Sequence, residues 1–168
     1  LKTLPTRYVH DGLAEAVKYG CSGDRELFEI FESLETEEDL EKHIEEIILH
    51  SVLQKTRVVE EDEFDTGKRQ VLNFGHTIGH AVERYFHYST FTHGEGVAIG
   101  MSLLTEQTEK MGLTEKGTAS RLIRVLHKLS LPTSIGVPAE DLIPQIMHDK
   151  KRRGKKITLV VQIGRAHV

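Results

Sequence analysis

Residues 75–83 have the sequence Gly-His-Thr-Ile-Gly-His-Ala-Val-Glu, and the triplet His93-Gly94-Glu95 follows after a short aromatic stretch. If the first segment is helical, His76, His80 and Glu83 lie on one face, because residues three and four apart are neighbours on a helix surface. Imidazole nitrogens bind zinc and related divalent ions, and a catalytic zinc ion takes about three protein ligands. The spacing is compatible with a metal site and equally with a histidine pair on a solvated surface, so the setting must decide.

The glycines of this stretch favour the metal site. Gly75 and Gly79 flank the first histidine, and each glycine in a helix costs about 1 kcal/mol relative to alanine. Such residues are useful where a ligand or another backbone approaches closely. The segment therefore predicts a close approach around His76 in addition to a helix.

Length and composition bound the class of protein. A chain of 168 residues is long enough for one domain with a core, and its 38% hydrophobic and 29% charged residues are typical of a globular protein. The net charge of −4 argues against nucleic-acid binding, and no apolar run reaches membrane-spanning length. The single cysteine, Cys21, excludes an intrachain disulfide and fits a reducing compartment. We therefore expect a cytoplasmic protein, and the start at Leu1 suggests a piece of a longer chain.

Apolar periodicity predicts a mainly α domain of several helices with at most a few short strands. Residues 95–111 are apolar nearly all round, which predicts a buried central helix. Thr36 and Asp39 have the spacing of a capping box, and Pro144 is expected to shorten or bend the helix that contains it. The helical segments are 8–19, 24–33, 36–59, 73–85, 95–111, 113–129 and 138–148, and the only predicted strand is 156–161.

Glu15 and Lys18 lie three residues apart on an otherwise apolar helix face. The simpler interpretation is an ion pair worth a few tenths of a kcal/mol, about 0.2–0.5. The functional interpretation is that Glu15 supplies a carboxylate ligand beside the histidines, with Lys18 placed to bind an anion in the same cavity.

Further polar residues cluster before the histidine segment. Lys55, Arg69 and Asn73 are each typical of a solvated surface, but together they suit a phosphorylated, hydroxyl-rich carboxylate substrate. The basic run 149–153 could add a cation to the same pocket. Glu83 is placed to accept a hydrogen bond from a histidine, and Glu95 to stabilise the start of a helix.

Four segments together resemble, in order and spacing, the C-terminal domain of the 3-dehydroquinate synthase family. The resemblance spans nearly the whole chain, so it is far more specific than any one motif. The segments are Gly-Leu-Ala-Glu-Ala-Val-Lys-Tyr-Gly at 12–20, Leu-Asn-Phe-Gly-His-Thr-Ile-Gly-His-Ala-Val-Glu at 72–83, His-Gly-Glu-Gly-Val-Ala-Ile-Gly-Met at 93–101 and Asp-Lys-Lys at 149–151.

The resemblance implies a helical metal- and substrate-binding domain that follows a Rossmann-like NAD domain in a homodimeric enzyme. The family enzyme converts 3-deoxy-arabino-heptulosonate 7-phosphate into 3-dehydroquinate and phosphate, the second step of the shikimate route to aromatic amino acids. Its cofactors are a zinc or cobalt ion and NAD. These residues contain no glycine-rich dinucleotide loop, so we expect the chain alone to be inactive.

The resemblance also implies a role for individual residues. It makes Glu15, His76 and His93 the metal ligands, so the helical histidine pair is divided, and His80 assists proton transfer with the substrate phosphate. Lys18 is implied in catalysis and substrate binding, and the further substrate contacts are Lys55, Arg69, Asn73, His80 and Lys150. Asp65 stands where the family usually has a glutamate, and the tail after residue 157 is shorter than the family pattern.

Three alternatives stay open. One is a related sugar phosphate cyclase, such as those that make 2-deoxy-scyllo-inosose or epi-valiolone. Another is a metal-dependent polyol dehydrogenase, whose ligand set usually begins with an aspartate, so Glu15 argues against it. The last is a metal-binding or interaction module without catalysis.

Overall fold

The computed structural model describes residues 3–64, 67–153 and 157–164, except for the side chains of residues 149–153. The prediction of a mainly α fold is confirmed. Among the described residues, no helix combines the length and apolar character needed to cross a bilayer. The helices are α1 (Thr6–Cys21), α2 (Arg25–Ser33), α3 (Glu37–Glu61), α4 (His76–Tyr85), α5 (His93–Lys110), α6 (Thr118–Lys128) and α7 (Ile143–Arg153), with short 3-10 helices at Lys68–Asn73 and Ala139–Leu142.

Side-chain caps explain where several helices begin. The Asp24 carboxylate accepts a hydrogen bond from the Leu27 backbone N–H at 2.9 Å and caps α2. The predicted capping box of Thr36 and Asp39 is present at the start of α3. These contacts satisfy backbone N–H groups that have no partner inside the helix.

The central helix of the fold is α5, as its apolar sequence predicts. It packs against α1, α4 and α6, and Val97, Ala98, Ile99 and Met101 have no exposed surface. The first turns of α4 and α5 are held close together because glycines face one another across them. A Cβ atom on Gly79 would lie 3.0 Å from the Gly96 backbone carbonyl, closer than side chains normally pack.

The predicted helix 113–129 is too long at its start, because α6 begins at Thr118. Gly117 precedes it with a left-handed φ of 94°, which stops a helix from extending backwards. The Glu109 carboxylate of α5 accepts hydrogen bonds from the Gly117 and Ala119 N–H groups, both at 2.9 Å. A tertiary contact therefore sets this boundary.

The helix predicted at 138–148 is shortened at its start, as expected from Pro144, because α7 begins at Ile143 and Ala139–Leu142 forms a separate 3-10 helix. Pro144 is the second residue of α7, where its missing N–H group would have no helical partner in any case, so the helix starts there and runs on to Arg153.

The prediction of a strand at 156–161 is wrong for residues 157–161, the part of it that the structure describes. Residues 157–163 form no strand with any part of the chain that the structure describes. Val160 and Val161 pack instead against the main helical core, and the Ile163 carbonyl accepts a hydrogen bond from the Glu115 N–H at 2.7 Å. Ile157 and Leu159 stay exposed, so only the two valines of this segment are partly covered by the helices.

Candidate metal centre

Glu15, His76 and His93 converge where three helices meet. Glu15 lies in the middle of α1, while His76 and His93 are the first residues of α4 and α5. The Nε2 atoms of His76 and His93 lie 3.5 Å and 3.9 Å from Oε1 of Glu15, and the three ligand atoms all lie within 4.8 Å of one another. Ligand atoms around one tetrahedral zinc ion are about 3.3–3.6 Å apart, so this spacing is close to that of a metal site.

Hydrogen bonds at the far side of each imidazole ring determine which nitrogen faces Glu15. Nδ1 of His76 lies 3.1 Å from the Phe74 carbonyl oxygen, and Nδ1 of His93 lies 3.1 Å from Oε1 of Glu83. Both partners can only accept, so each Nδ1 carries the proton and donates. In the neutral form of each ring the Nε2 lone pair then points towards Glu15, and Glu83 has the orienting contact that its position predicts.

The two oxygens of Glu15 have different environments. Oε2 accepts a hydrogen bond from Nζ of Lys18 at 2.7 Å, whereas the buried Oε1 has no hydrogen-bond partner among the described residues. When both rings are neutral, Oε1 faces two nitrogen lone pairs with no hydrogen between them, an arrangement that a divalent cation would stabilise. Burial, followed by the charge of Lys18, lowers the pKa of His76 and favours the neutral imidazole that a metal requires.

Lys18 is a buried cation within the same cluster. Only 3% of its side chain is exposed, and its ammonium group lies 5.0 Å from the centre of the Tyr19 ring. Burial lowers the pKa of Lys18, Glu15 opposes that shift, and the charge of Lys55 adds to it. The ion pair predicted from the spacing is present, and it leaves one oxygen of Glu15 free to face the histidines.

His80 lies one turn after His76 on α4, and its ring lies close to the rings of both other histidines. Its ring centre is 5.6 Å from that of His76 and 5.8 Å from that of His93. His80, Glu83 and His93 form a second group of side chains whose ligand atoms lie within 4.8 Å of one another. The structure therefore brings His80 next to Glu15, His76 and His93, and His93 belongs to both possible ligand groups.

Three of the other predicted substrate contacts lie on α3 and on the segment that leads into α4. Lys55 is exposed on α3, and the Arg69 guanidinium donates to the Glu63 carbonyl at 3.1 Å. Asn73 is exposed at the end of the 3-10 helix that precedes α4. The Lys150 side chain and the whole of Asp65 lie outside the described residues, so their predicted contacts cannot be compared.

Two residues near the cluster were not predicted from the sequence. Oδ1 of Asp11 accepts a hydrogen bond from the Gly94 N–H at 2.5 Å, and Arg7 forms an ion pair with Glu95 at 2.7 Å. Arg7 and Asp11 precede Glu15 by eight and four residues on α1. That helical spacing is the signal that could have singled them out.

Residues 12–152 match the family described as 3-dehydroquinate synthase C-terminal. The chain is 48% identical to a 3-dehydroquinate synthase of Clostridium acetobutylicum, with 96% of the chain and 46% of that protein aligned. It is 46% identical to one from Enterococcus faecalis, with 100% of the chain and 48% of the relative covered. The chain thus spans about half the length of the curated relatives that it matches.

Two solved structures have a similar fold. One is 2-epi-5-epi-valiolone synthase from Streptomyces hygroscopicus subsp. jinggangensis with NAD+ and Zn2+ bound, which aligns with a TM-score of 0.80 at 24% identity over 98% of this chain and 47% of that one. The other is 2-deoxy-scyllo-inosose synthase complexed with carbaglucose-6-phosphate, NAD+ and Co2+, with a TM-score of 0.79 at 25% identity over 99% of this chain and 47% of that one.

Proposed function

Because the chain belongs to the 3-dehydroquinate synthase C-terminal family, we propose that it is the metal- and substrate-binding part of a 3-dehydroquinate synthase. The complete enzyme would be a phosphate-eliminating lyase that makes 3-dehydroquinate from 3-deoxy-arabino-heptulosonate 7-phosphate, within aromatic amino acid biosynthesis. The observation that carries this proposal is the unpartnered Oε1 atom of Glu15 facing the Nε2 atoms of two histidines.

Glu15, His76 and His93 would hold a zinc or cobalt ion. Such an ion acts as a Lewis acid, lowering the pKa of substrate hydroxyl groups and polarising a carbonyl. NAD would be held by a Rossmann-like domain outside this chain, and the two related synthases of known structure carry NAD+ together with Zn2+ or Co2+.

The chain's own residues would bind the substrate and move a proton beside that ion. His80 lies beside the proposed ligands His76 and His93, where a histidine is placed to exchange a proton with the substrate as the phosphate leaves. Lys18, Lys55, Arg69, Asn73 and Lys150 are the proposed contacts to the substrate's anionic and hydroxyl groups. Holding those groups in one orientation lowers the entropic part of the activation free energy of the reaction.

Metal binding tests the ligand set directly. We expect the purified chain to bind about one zinc ion, and His76→Ala to lose it, as measured by metal analysis after dialysis. His127→Ala is the matched control, because His127 is exposed and its Nε2 atom bonds Thr133. Full zinc occupancy in the His76 variant would reject the assignment.

Complementation tests the reaction. The chain would be mixed with a separately produced NAD domain taken from the Clostridium acetobutylicum relative, and phosphate release from the heptulosonate phosphate followed with NAD present. We expect turnover only when both parts are mixed. Turnover by this chain alone, or none with a partner domain shown to bind NAD and to associate with the chain, would contradict the proposal.

A related sugar phosphate cyclase is the second candidate, because both solved structures are cyclases of other substrates. Sequence identity favours 3-dehydroquinate synthase, at 48% against 24–25% for those two enzymes. The complemented enzyme should therefore prefer the heptulosonate phosphate over glucose 6-phosphate and sedoheptulose 7-phosphate. A reversed preference would assign it to the other cyclases.

Two further properties come from the family resemblance alone. We propose that the complete enzyme is a homodimer and that it acts in the cytoplasm. Sedimentation velocity of the full-length enzyme and fractionation of the source cells would test them separately.

A further inference from the structure

One face of α1 contacts the first turn of α5 at three successive positions. Arg7, Asp11 and Glu15 recur every four residues on α1, and they meet Glu95, Gly94 and His93 in the reverse order. Two of these three contacts involve no proposed ligand. They join the helix that carries Glu15 to the turn that carries His93.

The contact between Asp11 and Gly94 is the tighter of the two. The Asp11 carboxylate accepts from the Gly94 N–H at 2.5 Å, and this N–H belongs to the first turn of α5, where helical N–H groups have no partner within the helix. The backbones are so close here that a Cβ atom on Gly94 would overlap the Asp11 carbonyl oxygen. Rotation of this turn about the α5 axis would break the contact.

Arg7 makes a second contact one turn earlier on α1. Its guanidinium donates to both carboxylate oxygens of Glu95, at 3.0 Å and 2.7 Å, and to the Thr90 carbonyl at 2.9 Å. Glu95 in turn accepts from the Thr92 N–H in the capping box of α5. The loop and the first turn on either side of His93 are therefore both tied to α1.

His93 is the first residue of α5 and the most exposed of the proposed ligands. Its side chain is 46% exposed, the largest exposed fraction of the three proposed ligands. One hydrogen bond, to Glu83 of α4, orients its ring. Its position relative to Glu15 thus depends on where the first turn of α5 lies against α1.

We propose that Asp11 is a positioning residue for the metal centre, acting through Gly94 to hold His93 opposite Glu15, with Arg7 as a weaker second tie. The inference rests on the proposed metal site. Residues that orient metal ligands typically change metal affinity by about 10–100-fold when they are replaced. Asp11→Ala should therefore weaken metal binding by about that factor.

Cobalt binding to the full chain tests the proposal. The d–d absorption of Co2+ reports ligand geometry, and competition with a chelator gives the affinity for both Co2+ and Zn2+. Asp11→Asn keeps an oxygen that can accept from Gly94, so its metal affinity should stay within about threefold of the unmodified chain, well below the loss of about 10–100-fold expected when an orienting contact is removed. Asp11→Ala should lose affinity and change the cobalt spectrum.

Asp24→Ala is the matched control, because Asp24 also caps a helix start, that of α2, which carries no proposed ligand. Thermal melting in EDTA should show comparable small losses of stability for both alanine variants, while only Asp11→Ala changes the metal site. If Asp11→Ala does not fold, Arg7→Gln takes its place, since Arg7 is 55% exposed, and it must show a lower affinity in the same direction.

The outcomes separate the two proposals. Failure of the unmodified chain to bind cobalt would overturn the metal site and this inference with it. Cobalt bound by the unmodified chain and by Asp11→Ala with the same affinity and spectrum would overturn the positioning role alone. Equal losses in Asp11→Asn and Asp11→Ala would also overturn it, because charge rather than the hydrogen bond would then be responsible.

Discussion

Each proposed ligand atom belongs to a side chain whose other polar atom forms a hydrogen bond. The second oxygen of Glu15 is bonded to Lys18, and the Nδ1 atoms of His76 and His93 are bonded to Phe74 and Glu83. These contacts set the tautomers and the carboxylate orientation before any ion binds. A site whose groups are already oriented loses little conformational entropy on binding.

The division of roles between His76 and His80 leads to a prediction at this scale. His80→Ala should keep about one zinc ion per chain but lower turnover of the complemented enzyme by about 100-fold or more, as expected for loss of a general acid–base group. Metal analysis and steady-state kinetics on the same preparation would measure both, with His127→Ala as control. Loss of zinc from the His80 variant would instead favour the alternative ligand group of His80, Glu83 and His93.

Cys21 provides a second residue-level prediction. Its side chain is buried, and burial raises the pKa of its thiol from 9.0 to about 12. Only the thiolate is nucleophilic, so the native chain should resist a thiol reagent at a pH near 8.5 and react once urea unfolds it. Fast labelling of the native chain would contradict this.

The same raised pKa sets a dependence of stability on pH. Between about pH 9 and pH 12 the unfolded thiol is ionised while the folded one is not, so the unfolded state binds fewer protons. Stability should consequently fall as the pH rises through this window. Urea unfolding of Cys21→Ala at several pH values should show a smaller fall, and an unchanged slope would argue against the raised pKa.

At the scale of elements, the site depends on how closely α4 and α5 approach at their first turns. Both helices begin with a proposed ligand, and glycines occupy the positions where their backbones meet. A Cβ atom on Gly100 would overlap the carbonyl oxygen of Gly75, the residue before His76. Gly75 itself has a left-handed φ of 78°, which favours glycine. The glycines expected to permit close approach do so between helices.

Two glycine-to-alanine substitutions should therefore have opposite effects. Gly100→Ala should destabilise the chain by about 1–3 kcal/mol through overpacking, and it should weaken zinc binding by displacing the turn that carries His76. Gly12→Ala, on the open side of α1 with no atom within 4 Å of the added Cβ, should stabilise it by about 0.4–1 kcal/mol. Urea unfolding would measure both, and equal effects of the two changes would refute the packing explanation.

At the scale of the whole molecule, a groove between α1 and α3 exposes apolar side chains. Its volume is about 270 Å3, and Glu15 is among its lining residues, so it adjoins the proposed metal centre. Val52 and Ile48 of α3 line the groove with 57% and 46% of their surface exposed. Apolar surface of this kind favours association with another protein surface.

We therefore expect the isolated chain to self-associate through this groove. Val52→Lys should shift the sedimentation coefficient towards that of a monomer, because an ammonium group is costly to bury at an apolar contact. Leu113→Lys is the control, since Leu113 is 53% exposed and lies outside the groove. A monomer at all protein concentrations, or an equal effect of both substitutions, would contradict the expectation.

Sequence patterns that act within about one helical turn predict most of the helices correctly. They give wrong boundaries where a contact with another element sets the conformation. Thr36 and Asp39 form their capping box because both partners lie within one turn. The start of α6 was placed wrongly because it depends on Glu109, eight residues before Gly117 and in another helix. The predicted strand 156–161 has the alternation of a strand, but its described residues pair with no described strand, and Val160 and Val161 pack on the helical core instead.

The same distinction applies to the candidate site. By itself, the sequence determined the residue types and, through their resemblance to a family, the set of Glu15, His76 and His93, because motifs are local in the chain. Only the tertiary structure decided that Oε1 of Glu15 faces both Nε2 atoms, that Lys18 is buried, and that Asp11 and Arg7 tie α1 to the turn carrying His93. The reason is physical: these features depend on distances between helices, which are set by packing between residues far apart in the sequence.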